Sequence, residues 1–333
     1  MKKTCLAITF LAFISACSQG EIKDKKPIKI GIFVWPGYAH SYIAQEKGFF
    51  EKNGVEVELI LSDGHTEAID LYKKGEVDGV FVILPDVVIL NSEGIQSKVV
   101  YVPTFTISAD GIVGKPEFNS LADLKGKKIS FEGINSFAHL FVLQALEAEG
   151  LKEEDVYFEN IPAKDVPKAL EEGRIDAGHT WQPFMSKVTE KGYKPLAYSG
   201  RWFPLVIVDV LIFNPYIIKE RPKDIEAIVR ALFEAKDFVY SDNKNEAIKV
   251  MAEAEGTSEE EMAFGLNGIR FVDVEENVPL LEKSGKQTSF YASLEVISKF
   301  YLERGQLSQI PEFNEIIEPR FVNELIAERQ KSK

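Results

Sequence analysis

Apolar residues along this chain follow two spacings. Short runs at residues 28–34, 55–60, 127–131, 155–159, 175–180 and 205–213 are rich in branched and aromatic side chains and read as strands. Between them lie stretches of 10–14 residues in which apolar positions recur every third or fourth place, as from about Ala39 and from about Ser136, and these predict helices. From Pro215 onward the helical spacing dominates. Residues 222–240, 244–254, 259–266 and 287–304 each carry an apolar stripe and an acidic outer face.

The pattern repeats at a shift of about 98 residues. Strand 28–34, a turn with Gly37 and a helix match strand 127–131, a turn with Gly133 and a helix. Further on, Lys74-Gly75-Glu76-Val77-Asp78-Gly79 matches Glu172-Gly173-Arg174-Ile175-Asp176-Ala177. In both copies a helix ends at a glycine, which suits the left-handed turn after a helix, and a strand follows at once. Asp78 and Asp176 hold equivalent places, so a structural role in the turn is expected for both. Each copy reads β-α-β-α-β, which implies parallel strands with right-handed crossovers. The expected α/β architecture is two Rossmann-like lobes joined by two hinge strands. Residues 28–107 and 208–333 form lobe 1, and 108–207 form lobe 2, with a cleft between them that closes on a ligand.

The first residues have a different logic. Lys2 and Lys3 precede an apolar run at 5–14 that is too short to span a bilayer, then Ile14-Ser15-Ala16-Cys17. Residues 1–16 read as an export signal, Cys17 as a lipidation site resembling a bacterial lipobox, and 17–27 as a polar tether. Without Lys2 and Lys3 the chain keeps 37 of its 39 basic side chains against 52 acidic ones, a balance that repels nucleic acid. Past Cys17 no cysteine remains, so no disulfide is expected in the folded part.

The three tryptophans, Trp35, Trp181 and Trp202, are each followed within two residues by proline and each flank a predicted strand. Aromatics at strand ends on stiffened turns are where an open α/β sheet meets a ligand. Tyr38 shares the turn of Trp35, with His40 one step further. Ser136 and His139 open the matching helix of lobe 2, where Ser136 either caps the helix or holds an acceptor group and His139 either packs or binds. Asp110 and Asp209 stand inside the connecting strands. A carboxylate in an apolar strand needs a partner, either an internal one such as Arg201 or a ligand amine or ring N–H. No nucleophile elbow, phosphate loop, zinc-protease motif or dinucleotide glycine pattern occurs, and the four histidines lack a zinc spacing. No cofactor, metal or catalysis is expected.

Gly48-Phe49-Phe50-Glu51-Lys52-Asn53-Gly54-Val55, Ala109-Asp110-Gly111-Ile112-Val113, Asp123-Leu124-Lys125-Gly126-Lys127-Lys128-Ile129, Gly173-Arg174-Ile175-Asp176-Ala177 and Trp181-Gln182-Pro183 together resemble one family. It is that of the substrate-binding lipoproteins of ABC importers for nitrate, sulfonates and taurine, which includes binders of the thiamine pyrimidine precursor. The resemblance implies a type II periplasmic-binding-protein clamshell that passes a small solute to a permease and its ATPase, as a lipid-anchored monomer outside the cytoplasm. It places Trp35, Tyr38, Asp110, Ser136, His139, Trp181 and Asp209 where such proteins contact ligands, with Trp202 at the hinge or the rim. An aspartate like Asp209 would take a taurine amine, and a serine like Ser136 a sulfonate. The Trp-Pro-Gly-Tyr turn departs from many sulfonate binders and suits a larger or flatter ligand, with an aromatic ring or an apolar tail. A ligand-sensing clamshell is the alternative. A synthase-like enzyme of the same fold is disfavoured, because those enzymes carry a cysteine-rich motif absent here.

Overall fold

The computed structural model describes residues 26–202, 207–284 and 289–331, apart from the side chains of residues 201 and 202. The expected export signal, Cys17 and all of the tether before residue 26 lie outside the described residues, as does the Trp202 side chain. Two five-stranded sheets organise the chain. The first has the order β2-β1-β3-β11-β4, with β1 at Ile28–Ile32, β2 at Val57–Leu61, β3 at Gly79–Ile83, β4 at Lys98–Tyr101 and β11 at Asp209–Phe213. The second has the order β10-β6-β9-β7-β8, with β6 at Asp110–Gly114, β7 at Lys128–Phe131, β8 at Tyr157–Asn160, β9 at Ala177–Trp181 and β10 at Lys194–Tyr198.

The repeat seen in the sequence is a repeat of pairing. In the first sheet β1 runs parallel to β2 and β3, and in the second β7 runs parallel to β8 and β9. The turns that start β3 and β9 are built alike. Gly75 and Gly173 take φ of 70° and 69° just past their helices, a region that favours glycine. Asp78 then accepts the Lys29 N–H at 2.9 Å, and Asp176 accepts the Lys128 N–H at 2.9 Å. Each aspartate ties the turn to the neighbouring strand. Because Asp176 belongs to this turn, β9 begins two residues later than the apolar run suggests and ends on Trp181 itself.

Each sheet also takes in one strand of opposite direction. The chain leaves the first sheet after β4, passes through β5 (Thr104–Thr106) and enters the second as β6, antiparallel to β9. It returns as β11, antiparallel to β3. An isolated bridge between Phe105 and Val208 joins the outgoing and returning segments, and β5 pairs with β12 (Ile269–Phe271). The C-terminal helices gather on the first sheet. The helix Pro222–Val239 packs on the helix His40–Glu46, and the helix Arg320–Lys331 packs on β4. Several helices, among them Leu84–Ser92, Val274–Leu281 and Arg320–Lys331, were not evident in the pattern; the second of these is short and carries Pro279 inside it. Buried apolar residues of both sheets, such as Phe81, Phe213 and Phe131, join one continuous cluster with helix residues such as Phe141.

Candidate functional site

The two antiparallel strands decide where the chemistry sits. Asp209 is the first residue of β11, opposite Ile83 at the end of β3. Asp110 is the first residue of β6, opposite Trp181 at the end of β9. Matching positions of the two sheets therefore each present a carboxylate to the space between the lobes. A cavity of only about 10 Å³, about the room one water needs, lies there. The first lobe lines it with Phe33, Trp35, Tyr38 and Asp209, and the second with Asp110, Phe137 and Trp181. Its walls already touch across the cleft: the Trp181 indole N–H donates to the Val34 carbonyl at 3.3 Å, and the Phe33 and Trp181 rings lie 5.9 Å apart. No lysine or arginine is among the described residues that line it.

Asp209 is the hub. The Trp35 indole N–H donates to its Oδ2 at 2.9 Å, the Thr104 hydroxyl donates to the same oxygen, and the Tyr38 hydroxyl donates to Oδ1 at 2.9 Å. These three groups are internal partners of Asp209; the side chain of Arg201, the partner offered from the sequence, lies outside the described residues. Burial pushes the Asp209 carboxyl up to about 6, against the pull of those three donors and with a push from the charge of Asp110. The Tyr38 phenol is held well above its ordinary range by burial and by Asp209, so it stays a donor. Asp110 meets His179 Nε2 at 3.1 Å. Behind Trp35 stands a third acid. The Trp35 backbone N–H donates to Glu255 Oε1 at 3.0 Å, and burial pushes the Glu255 carboxyl up to about 8.

The structure brings Trp35, Tyr38, Asp110, Trp181 and Asp209 together around this cavity and puts Ser136 and His139 elsewhere. Ser136 is the N-cap of the helix Phe137–Ala148, accepting from Ala138 and His139 N–H groups and donating to the Glu132 carbonyl at 2.6 Å. It borders a separate, open groove. His139 stacks on Phe131 with ring centroids 4.4 Å apart, and burial lowers it to about 4, so it packs as a neutral ring. His40 is likewise a core residue, lowered to about 3 by burial and facing the Tyr101 hydroxyl at 3.2 Å. Among the described residues no group of three or more His, Cys, Asp or Glu side chains is placed to hold a metal. Sequence reasoning missed Phe33, Phe137, Thr104 and Glu255. Phe33 and Phe137 each adjoin a turn that was singled out, whereas Thr104 and Glu255 carry no local signal.

Residues 35–261 match the NMT1/THI5-like family model, about two thirds of the chain and most of both lobes. The chain belongs to the NMT1/THI5-like family. Among its relatives is a protein of Brucella abortus (strain 2308) named as a binding protein, 28% identical over 70% of this chain and 71% of its own. The formylaminopyrimidine-binding protein of Halalkalibacterium halodurans is 24% identical, covering 84% of each chain. The matches also reach an enzyme, a hydroxymethylpyrimidine phosphate synthase of Uromyces fabae, 23% identical over 66% of this chain and 68% of its own. The fold is that of the periplasmic binding proteins: the alkanesulfonate-binding protein of Xanthomonas axonopodis pv. citri superposes with a TM-score of 0.72 at 16% identity, covering 88% of this chain and 98% of the other. A fold of this kind does not itself name a ligand; the residues of the site do.

Proposed function

We propose that this protein is the extracytoplasmic solute-binding component of an ABC importer, tethered by lipid at Cys17, which captures a small organic solute between its lobes and delivers it to a permease. In this reading lobe 1 comprises residues 28–107 and 208–333, lobe 2 comprises 108–207, and Trp35, Tyr38, Asp110, Trp181 and Asp209 are the ligand contacts. One observation carries the choice of ligand. Two buried carboxylates and five aromatic side chains face one cavity whose described lining holds no basic residue. Such a site attracts a flat ring that donates N–H groups, of the aminopyrimidine type, and repels a sulfonate. The pyrimidine named in the Halalkalibacterium relative supports that ligand class. The present cavity has room for about one water and none for a ring, so the lobes part to admit a ligand.

The test is thermal unfolding of the purified protein with aminopyrimidines, taurine, alkanesulfonates and nitrate. A true ligand at a hundred times its Kd stabilises by about 2.7 kcal/mol. The proposal expects a response to aminopyrimidines that Asp110→Asn and Trp181→Phe weaken. A response to sulfonates alone, or one indifferent to both substitutions, overturns it.

A further inference from the structure

We infer that Glu132, on lobe 2, is a latch that holds the lobes together by capping a helix of lobe 1. The helix His65–Lys73 begins without a cap of its own, since its N-cap residue is Gly64 and no side chain of its own segment takes up that place. A helix start leaves several N–H donors free and carries partial positive charge, and a carboxylate satisfies both. Here the carboxylate comes from across the cleft. Glu132 follows β7 directly, and its Oε1 accepts both the Thr66 N–H at 3.1 Å and the Thr66 hydroxyl at 3.0 Å. Its Oε2 accepts the Ala163 N–H at 3.0 Å within lobe 2. Glu132 is only 5% exposed, so every oxygen is spent in a dry place.

The surroundings repeat the theme. Lys164, next to Ala163, pairs with Asp63, which lies just before the capped helix. The Glu132 backbone is itself fixed, because its carbonyl accepts from the Ser136 hydroxyl at the start of the helix Phe137–Ala148. Residues 63–66 of one lobe are thus met by 132 and 163–164 of the other. Parting the lobes strips the helix start of its anionic acceptor and trades two charge-assisted bonds of the carboxylate for water, so the bonds to Thr66 form only in the closed arrangement and favour it. The inference rests on the reading of the protein as a closing clamshell but not on the ligand assigned to it.

The experiment is done without ligand, so a failed ligand screen leaves it intact. Hydrogen exchange is followed by mass spectrometry together with small-angle X-ray scattering for wild type, Glu132→Ala, Glu132→Gln and Thr66→Val. The expected result for Glu132→Ala is exchange about tenfold faster or more in the peptide spanning residues 62–70, unchanged protection of β1 and β7, and a larger radius of gyration. Glu132→Gln, which keeps the acceptor and loses the charge, recovers part of the protection. Thr66→Val removes one donor with little change of shape, and gives a smaller rise in the same peptide should Glu132→Ala fail to fold. Unchanged exchange at 62–70 with unchanged scattering overturns the inference, and so does faster exchange spread evenly over both sheets.

Discussion

Asp209→Asn separates the stability of the site from its binding. An acid whose folded-state pKa lies above its unfolded value holds its proton more tightly when folded. Its contribution is therefore full below about pH 4, falls as pH rises towards 6, and is flat beyond. Asp209 goes from an ordinary 3.8 to about 6, and at about 1.4 kcal/mol for each pH unit its ionisation weakens the fold by about 3 kcal/mol at pH 7.5. Asparagine has the same shape. Its carbonyl still accepts from the Trp35 indole and the Thr104 hydroxyl, and its amide faces a Tyr38 hydroxyl able to turn and accept. The variant should match wild type near pH 4 and exceed it at pH 7.5 by up to about 3 kcal/mol, or about 5–10 °C in Tm for a fold of this size.

Binding should move the other way. A ligand N–H that donates to an ionised carboxylate loses about 1.5–3 kcal/mol when the charge goes, or about 10- to 100-fold in Kd. The assay is thermal unfolding of both proteins at pH 4, 5, 6 and 7.5, followed by titration with the ligand that stabilises wild type. Only the difference between the two melting curves counts, because other carboxylates titrate in the same range. A difference that stays flat across pH, or a variant less stable than wild type at pH 7.5, refutes the argument about burial. Full retention of the ligand response refutes the assignment of Asp209 to the site.

Three further outcomes are expected. Glu255 follows the same sign, with stability falling from about pH 4.5 to 8, so Glu255→Gln should match wild type at pH 4 and melt above it at pH 9; a pH series of unfolding curves checks this. Ser136→Ala removes an N-cap and should cost about 1 kcal/mol, with ligand affinity unchanged by calorimetry, whereas a sulfonate held by Ser136 would require a large loss. Trp181 is 3% exposed and packs against Phe33, Phe137 and Phe184, so Trp181→Ala should lose about 3–5 kcal/mol in denaturant unfolding and abolish binding.

What could be read from the sequence follows from how local each constraint is. The glycine and aspartate that join helix to strand act within a few residues, so Gly75 with Asp78 and Gly173 with Asp176 declared both copies of the fold. Asp110 and Asp209 were visible as carboxylates in apolar strands. Their partners were not, because Asp209 meets groups 105 to 174 residues away that only the folded sheet assembles. The matching turns then misled in one respect. Trp35 turns into the cavity, whereas the equivalent turn of lobe 2 passes through positive φ at both Gly133 and Asn135, and it carries Ser136 as a cap to a separate groove beside the helix His65–Lys73. Equivalence of strands does not extend to equivalence of loops. Glu132 and Glu255 left no trace at all, since among 52 acidic residues nothing local distinguishes a buried carboxylate from a solvated one. Each became recognisable only through the donor it meets, the Thr66 helix start across the cleft and the Trp35 N–H beneath the site. The clamshell was therefore written in short-range punctuation, while the devices that close it and hold its walls are long-range pairings that no single segment records.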